Sequence, residues 1–147
     1  MNFSDDNYFM KIALEEAKIA FDESEIPIGA VLTIENKIIA KFHNQTEKLI
    51  DSTAHAEILC LTAAFGHLGV KYLPNATLYV TLEPCIMCAG ALFWAQIGKL
   101  VYGANDSKRG YTTVNNNILH PKTEVISGIY KEESKLLLKE FFENLRK

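Results

Sequence analysis

The chain has 147 residues, of which 48% are hydrophobic and 22% charged, a size and composition that fit one folded domain (residues 1–147) with a single core. The acidic start "MNFSDDNYFM" does not resemble a secretory signal, and no apolar run is long enough to span a bilayer, so we expect a cytoplasmic protein without membrane association. Three cysteines, two of them close together, argue against a disulfide framework, and a net charge of -3 gives no global attraction to nucleic acid.

The first half of the chain is predicted to form a helix, a hairpin and a second helix. Apolar residues recur at i, i+4, i+7 and i+11 from Met10, which predicts an amphipathic helix. The β-branched segments "GAVLTIE" and "KIIAKFH" are separated by Asn36 and predict a β-hairpin. The segment "STAHAEILCLTAAFGHLG" predicts a helix capped at one of residues 51–53 and ended by Gly69.

The second half is predicted to form three strands and two helices. The strand "TLYVTL" is followed by the helix "PCIMCAGALFWAQ", with Pro84 at its first position, then by the strands "KLVYGA" and "TEVISGI" and a closing helix. Alternating strands and helices require crossover connections, and uniformly apolar strands predict a sheet covered on both faces. The predicted fold is α/β: a three-layer α/β/α sandwich around a mixed five-stranded sheet.

The segment "LEPCIMCAGA" carries a C-x-x-C pair, which is typical of a redox couple, half of a structural zinc site or part of a catalytic metal site. Cys85 and Cys88 lie three residues apart at a predicted helix start, so they project from one face and can share a ligand. The partial positive charge of a helix N-terminus also favours thiolates, which makes a metal ion the natural partner.

A histidine and a glutamate open the preceding predicted helix in "HAEILC". If both helix starts meet, His55, Cys85 and Cys88 give three zinc ligands and leave a fourth position for water, the pattern of catalytic zinc. Glu57 is then placed to accept the proton of this water and to deliver protons to the substrate. H-x-E followed after one strand by P-C-x-x-C is the signature of zinc nucleobase deaminases. In the alternative, a closed zinc site, Cys60 is the fourth ligand, but it lies about 140° around the helix from His55 and is better placed in the core.

Several further stretches carry a resemblance that extends over nearly the whole chain: "IPIGAVL", "HN" at 43–44, "DSTAHAEI", "TLYVTLEPCIMCAGA", "IGKLVYGANDSK" and "LLLKEFFENLR". In these stretches the chain resembles the bacterial tRNA-specific adenosine deaminases of the cytidine deaminase-like superfamily. The resemblance implies deamination of the wobble adenosine to inosine in a tRNA anticodon, by a homodimer with one zinc ion per subunit. It also implies the same roles for His55, Glu57, Cys85 and Cys88.

The resemblance also implies substrate contacts. Asn44 matches a family asparagine that contacts the flipped base, which we favour over the alternative of a turn residue that ends a strand. Pro27 and Ile28 match a segment that lines the base pocket, or they serve as packing at a strand start. Lys108 in "ANDSKRG" matches a segment near the RNA and is expected to meet a phosphate, with ordinary solvated surface as the alternative.

The chain departs from the family pattern at Phe93 and Trp94, where many members carry arginine or other polar residues. An aromatic pair there is similar to the small-molecule guanine deaminases of the same superfamily, but packing in the core or in a dimer is the favoured explanation, since Met87, Ala91 and Trp94 fall at i, i+4 and i+7. A free nucleobase deaminase for guanine or cytosine therefore remains the alternative function. A non-catalytic zinc module would not need Glu57, and a redox protein would not need the H-x-E motif.

Overall fold

The computed structural model describes residues 3–146 as a five-stranded sheet with helices on both faces. The elements in chain order are α1 (Phe3–Asp22), β1 (Gly29–Ile34), β2 (Lys37–His43), α2 (Ala56–Leu68), β3 (Ala76–Leu82), α3 (Ile86–Ala95), β4 (Lys99–Ala104), a 3₁₀ turn (Tyr111–Thr113), β5 (Glu124–Ser127) and α4 (Lys131–Leu145). No helix within residues 3–146 is both long and apolar enough to cross a membrane.

The sheet is mixed, as predicted, with the strand order β2-β1-β3-β4-β5. β1 is antiparallel to β2 and β3, whereas β3, β4 and β5 are parallel to one another. The β1–β2 hairpin turns through Glu35 and Asn36, both with left-handed backbone conformation (φ 51° and 60°), which suits a tight two-residue turn. Because β2, β3 and β4 run in the same direction, their carboxyl ends share one edge of the sheet.

Alternate residues of the central strands face opposite helical layers. Leu32, Leu78 and Leu100 are fully buried in a core with residues of α2 and α3. Their neighbours along each strand pack instead into a second core with residues of α1; these neighbours are Val31, Tyr79 and Val101. α4 lies on the α1 side, where the rings of Phe21 and Phe141 are 5.9 Å apart. The three-layer sandwich is therefore confirmed.

Asp6, on the buried face of α1, is paired with two groups of the sheet. Asp6 is 2% exposed and accepts a hydrogen bond from the Tyr79 hydroxyl at 3.0 Å. It also pairs with the Lys99 ammonium at 3.3 Å. These bonds connect α1 to β3 and β4 on the face of the sheet opposite α2 and α3.

The starts of α2 and α3 differ from the predicted ones. α2 begins at Ala56 rather than near residues 51–53, because the Asp51 carboxylate accepts bonds from the Thr53 backbone and hydroxyl in a local turn. α3 begins at Ile86, so Pro84 precedes the helix instead of opening it, and the extended Cys85 is its N-cap.

Candidate active site

The N-termini of α2 and α3 bring three metal-ligand side chains together. The His55 Nδ1 atom lies 3.7 Å from Cys85 Sγ and 3.5 Å from Cys88 Sγ, and one ligand atom from each residue lies within 4.8 Å of the others. A tetrahedral zinc ion about 2.3 Å from sulfur and about 2.0 Å from nitrogen requires N···S separations of about 3.5 Å. The donor set and its spacing therefore fit zinc.

The backbone at both helix starts explains this convergence. His55 and Cys85 are the N-caps of α2 and α3, both with extended conformations and without a side-chain cap. Their side chains are consequently free to face each other, and Cys88 joins them from the first turn of α3. The N-terminus of each helix also carries a partial positive charge, which favours anionic sulfur.

The pKa values of Cys85 and Cys88 are shifted in opposite directions. The pKa of Cys85 is lowered to about 4, because Cys88 hydrogen-bonds to its sulfur and His55 adds a further bond and charge, while burial opposes the shift. The pKa of Cys88 is raised by the same hydrogen bond and by burial. The pKa of His55 is raised by its bond to Cys85. Cys85 is thus a thiolate at neutral pH, the form that binds metals.

Glu57 lies beside this cluster in the first turn of α2. Its side chain is 4% exposed, and it interacts with the Cys88 thiol. Burial raises the pKa of Glu57 to about 7, although its own backbone N–H and the charge of His55 oppose the shift. A carboxyl group with this pKa can both accept and release a proton near neutral pH.

Asn44, one of the residues predicted to line the substrate pocket, is hydrogen-bonded both to the start of α2 and to Ile28, another of these residues. It is buried, and its Oδ1 atom accepts a hydrogen bond from the Ala56 backbone at 2.8 Å. Its own backbone N–H donates to the Ile28 carbonyl at 3.1 Å. Pro27 is buried, and Ile28 is half-buried against the core beneath α2 and α3. All three residues therefore have structural roles here, and their contacts with substrate stay a prediction.

Lys108 lies outside the cluster, on an exposed part of segment 105–112, which follows β4. This segment is nevertheless joined to the start of α3. Gly110 forms an isolated β-bridge with Cys85, and the Tyr111 N–H donates to the Pro84 carbonyl at 2.9 Å. The segment therefore borders the metal-ligand cluster on the α3 side.

Glu83 is a residue that the sequence analysis missed. It is 3% exposed, and its carboxylate accepts four hydrogen bonds from Asn105, Asp106 and Thr112. Burial alone would raise the pKa of Glu83, but these hydrogen bonds lower it overall. An available signal was "LEPC", in which an acid directly ends an apolar strand and requires buried partners.

A second buried carboxylate, Glu25, also escaped the sequence analysis. It is 1% exposed and accepts backbone hydrogen bonds from Glu47 at 3.0 Å and Lys48 at 2.8 Å. These residues belong to the loop between β2 and α2, which leads to His55. Each loop beside the cluster is thus fixed by one buried acid.

Cys60 and the aromatic pair lie apart from the cluster. Cys60 is fully buried, and its Sγ atom donates to the Ala30 carbonyl at 3.5 Å. Burial raises its pKa, which keeps it a thiol, as expected of a core residue. Trp94 is 74% exposed and Phe93 is 37% exposed, so the prediction that Trp94 packs in the core is wrong. Trp94 instead borders a groove of about 360 Å³ between α2 and α3.

The fold and this site together define a nucleobase deaminase of the cytidine deaminase-like class. Residues 3–146 match the model of the MafB19-like deaminase family. The chain is 48% identical over 143 residues to the tRNA-specific adenosine deaminase of Aquifex aeolicus (strain VF5), covering 95% of each chain. It is 46% identical over 147 residues to the enzyme of the same name from Bacillus subtilis (strain 168), covering 97% of this chain and 91% of that one. The chain belongs to the tRNA-specific adenosine deaminase family.

Solved structures share this fold, and one of them supports the same family. A structure from a study of A-to-I editing by tRNA:A34 deaminases has a TM-score of 0.83 and 44% identity, covering 89% of this chain and 99% of that chain. A guanine deaminase from Bacillus subtilis has a TM-score of 0.65 and 36% identity, covering 71% of this chain and 66% of that chain. The guanine deaminase of Nitrosomonas europaea, at 24% identity and a TM-score of 0.77, shares the fold; it covers 92% of this chain and 83% of that one.

Proposed function

We propose that the chain hydrolyses the exocyclic amino group of the wobble adenosine in a tRNA anticodon, giving inosine and ammonia. The observation that carries this proposal is the convergence of His55, Cys85 and Cys88 beside the buried Glu57. It occurs in a chain that aligns almost end to end with tRNA-specific adenosine deaminases. We propose that the substrate is tRNA and that the reaction takes place in the cytoplasm.

His55, Cys85 and Cys88 would hold one zinc ion per subunit. When bound there, zinc supplies Lewis acidity and makes water a nucleophile near neutral pH. Glu57 accepts a proton from the attacking water and transfers it to the ring nitrogen beside the attacked carbon. It then takes the remaining proton of the added hydroxyl group and delivers it to the departing amine, which leaves as ammonia while the carbonyl of inosine forms, so that the same carboxylate acts in turn as base and as acid.

The substrate side of the site is assigned to residues at the same edge of the sheet. Asn44 has its amide oxygen engaged by α2, which fixes the orientation of the group that would contact the base. Pro27 and Ile28 would give apolar contacts, and Lys108 would meet a phosphate. A base in an anticodon loop is already unpaired, so extruding it into the pocket costs little.

We further propose that the chain forms a homodimer through the face between α2 and α3. Trp94 and Tyr72 are 74% and 44% exposed, and both line the groove between these helices together with Phe65. Exposed aromatic groups in a contiguous apolar patch are typical of protein–protein interfaces.

A free nucleobase deaminase is the second candidate, because a guanine deaminase shares the fold at 36% identity. Its reaction would use the same cluster and Glu57, so the metal site does not discriminate between the two. The aromatic pair does not favour it either, since Trp94 lies on the α2–α3 face.

The test is ammonia release by the zinc-loaded protein together with inosine formation within the RNA. We would offer an anticodon stem-loop with a wobble adenosine and, in parallel, free adenine, guanine, cytosine and cytidine. A stem-loop with guanosine at the wobble position is the matched control. Turnover of the adenosine stem-loop alone is expected; turnover of a free base alone would replace the proposal with the second candidate.

A further inference from the structure

We propose that Glu83 is a positioning residue that fixes segment 105–112 and thereby places Lys108 and Arg109 for binding the RNA backbone. This inference rests on the tRNA substrate proposed above. In this proposal Glu83 does not touch the substrate; it positions the basic residues that do.

The Glu83 carboxylate uses both oxygens to hold the two ends of the segment. Oε1 accepts from Asn105 Nδ2 at 3.1 Å and from the Asp106 N–H at 3.0 Å. Oε2 accepts from the Thr112 N–H at 2.9 Å and from its hydroxyl at 2.7 Å. A single side chain from the end of β3 therefore closes the segment into a fixed loop.

The basic residues are connected to this anchor through Asp106. The Asp106 carboxylate accepts the backbone N–H groups of Lys108 and Arg109, both at 3.0 Å. Asp106 is itself held through its backbone N–H by Glu83. The chain of bonds thus runs from a buried carboxylate to two exposed cationic residues.

Gly110 shows how closely the segment fits this anchor. A Cβ atom at Gly110 would lie 2.3 Å from the Glu83 carboxylate, too close for any side chain unless one of the two groups moves. Among the neighbouring positions, residues 105 and 107–109 are exposed. This part of the segment consequently has little apolar packing to fix it, and the hydrogen bonds to Glu83 carry that role.

Ordering the two cations before binding reduces the entropy lost when they meet phosphates. In the Glu83→Gln variant, one carboxylate oxygen becomes an NH₂ group. The amide can accept at one end of the segment but meets N–H donors at the other, so one end is released. We expect more motion of Lys108 and Arg109 without displacement of the metal-ligand side chains.

The experiment compares wild type, Glu83→Gln and Thr112→Val in the zinc-loaded full chain. Trypsin cleaves after Lys108 and Arg109, so its rate at these bonds reports release of the segment. Kinetics with the adenosine stem-loop at several salt concentrations give kcat, KM and the salt dependence of KM. For Glu83→Gln we expect faster cleavage, a KM raised about tenfold, kcat nearly unchanged and a smaller salt slope, because fewer phosphates are neutralised. Thr112→Val removes one of the four bonds and is expected to show a smaller change in the same direction.

Asp6→Asn is the matched control, because Asp6 is also a buried, hydrogen-bonded carboxylate but lies on the opposite face of the sheet. It should lower stability without changing trypsin cleavage at residues 108–109, KM or the salt slope. A Glu83→Gln enzyme with wild-type KM and salt slope would overturn the inference, as would one that loses zinc and kcat instead. If Glu83→Gln does not fold, a wild-type KM in Thr112→Val overturns it. Wild-type inactivity on the stem-loop would refute the proposed function, and this inference with it.

Discussion

Buried glutamates at this site differ in their chemistry because their partners differ. Glu83 receives four hydrogen bonds, and its pKa is lowered, so it remains a charged anchor. Glu57 has a similarly small exposed surface but lies deeper, so burial dominates, and its pKa is raised to about 7. The donors facing each carboxylate and the depth of its burial together separate a holding role from a proton-transfer role.

Replacing Glu57 with glutamine tests the proton-transfer role. The amide retains the size of the side chain but cannot accept and return a proton, so kcat should fall by about 10²–10⁴-fold. Zinc content should remain at one ion per chain, because Glu57 is not among the clustered ligands. Single-turnover inosine formation and elemental analysis measure both quantities.

Glu140→Gln is the control for this substitution, since Glu140 is exposed on α4. It should leave kcat and zinc content at wild-type values. An active, zinc-loaded Glu57→Gln enzyme would exclude the proposed role of Glu57.

At the scale of elements, local patterns predicted most of the fold. The strand β4 has the predicted bounds, and the β1–β2 hairpin and the end of α2 at Gly69 follow from short-range turn and cap chemistry. The start of α3 was not predictable from local patterns, because the bridge from Cys85 to the distant Gly110 contributes to it. The start of α2 depends both on the local turn at Asp51 and on the bond from Ala56 to Asn44.

The candidate site divides in the same way. The H-x-E and C-x-x-C motifs have fixed local spacing, so the sequence predicted which side chains would converge. Glu25 and Glu83 escaped because their partners lie 21 to 29 residues away along the chain, where no periodic pattern connects them. Only the folded sheet edge brings those partners to each carboxylate.

Asn44 combines a helix-capping role with a predicted base contact, and two substitutions separate these roles. Asn44→Asp keeps an oxygen for the Ala56 N–H but removes the amide donors, so stability should stay near wild type while activity falls. Asn44→Ala loses both functions and should lower the free energy of unfolding by about 1 kcal/mol. Urea denaturation and stem-loop kinetics measure the two effects.

Asn116 supplies the matched control, because it is exposed. Asn116→Asp and Asn116→Ala should change neither quantity. Wild-type activity in Asn44→Asp would mean that Asn44 serves α2 alone and does not contact the base.

At the scale of the whole molecule, a net charge of -3 is compatible with RNA binding only if cations are concentrated near the site. The fold brings three cations to one sheet edge, because the loops following the parallel-running β2 and β4 end there, and Glu47, Asp51 and Asp106 on the same loops offset their charge. Lys48 lies on the first loop, and Lys108 and Arg109 lie on the second. Each loop is held by a buried carboxylate, so the acidic residues that lower the net charge also support the basic ones that would meet the substrate.

The exposed face between α2 and α3 allows the proposed dimer to be tested. Trp94 is 74% exposed beside the groove between these helices, and a large aromatic group of this kind is a typical interface anchor. Trp94→Glu should therefore convert the proposed dimer to a monomer in sedimentation velocity experiments without unfolding the chain, since most of the side chain is exposed in a single subunit. Leu136→Glu is the control: Leu136 is 56% exposed on α4, in the other helical layer, and should leave the dimer intact. A monomeric wild type, or a Trp94→Glu protein that remains dimeric, would exclude this face as the interface.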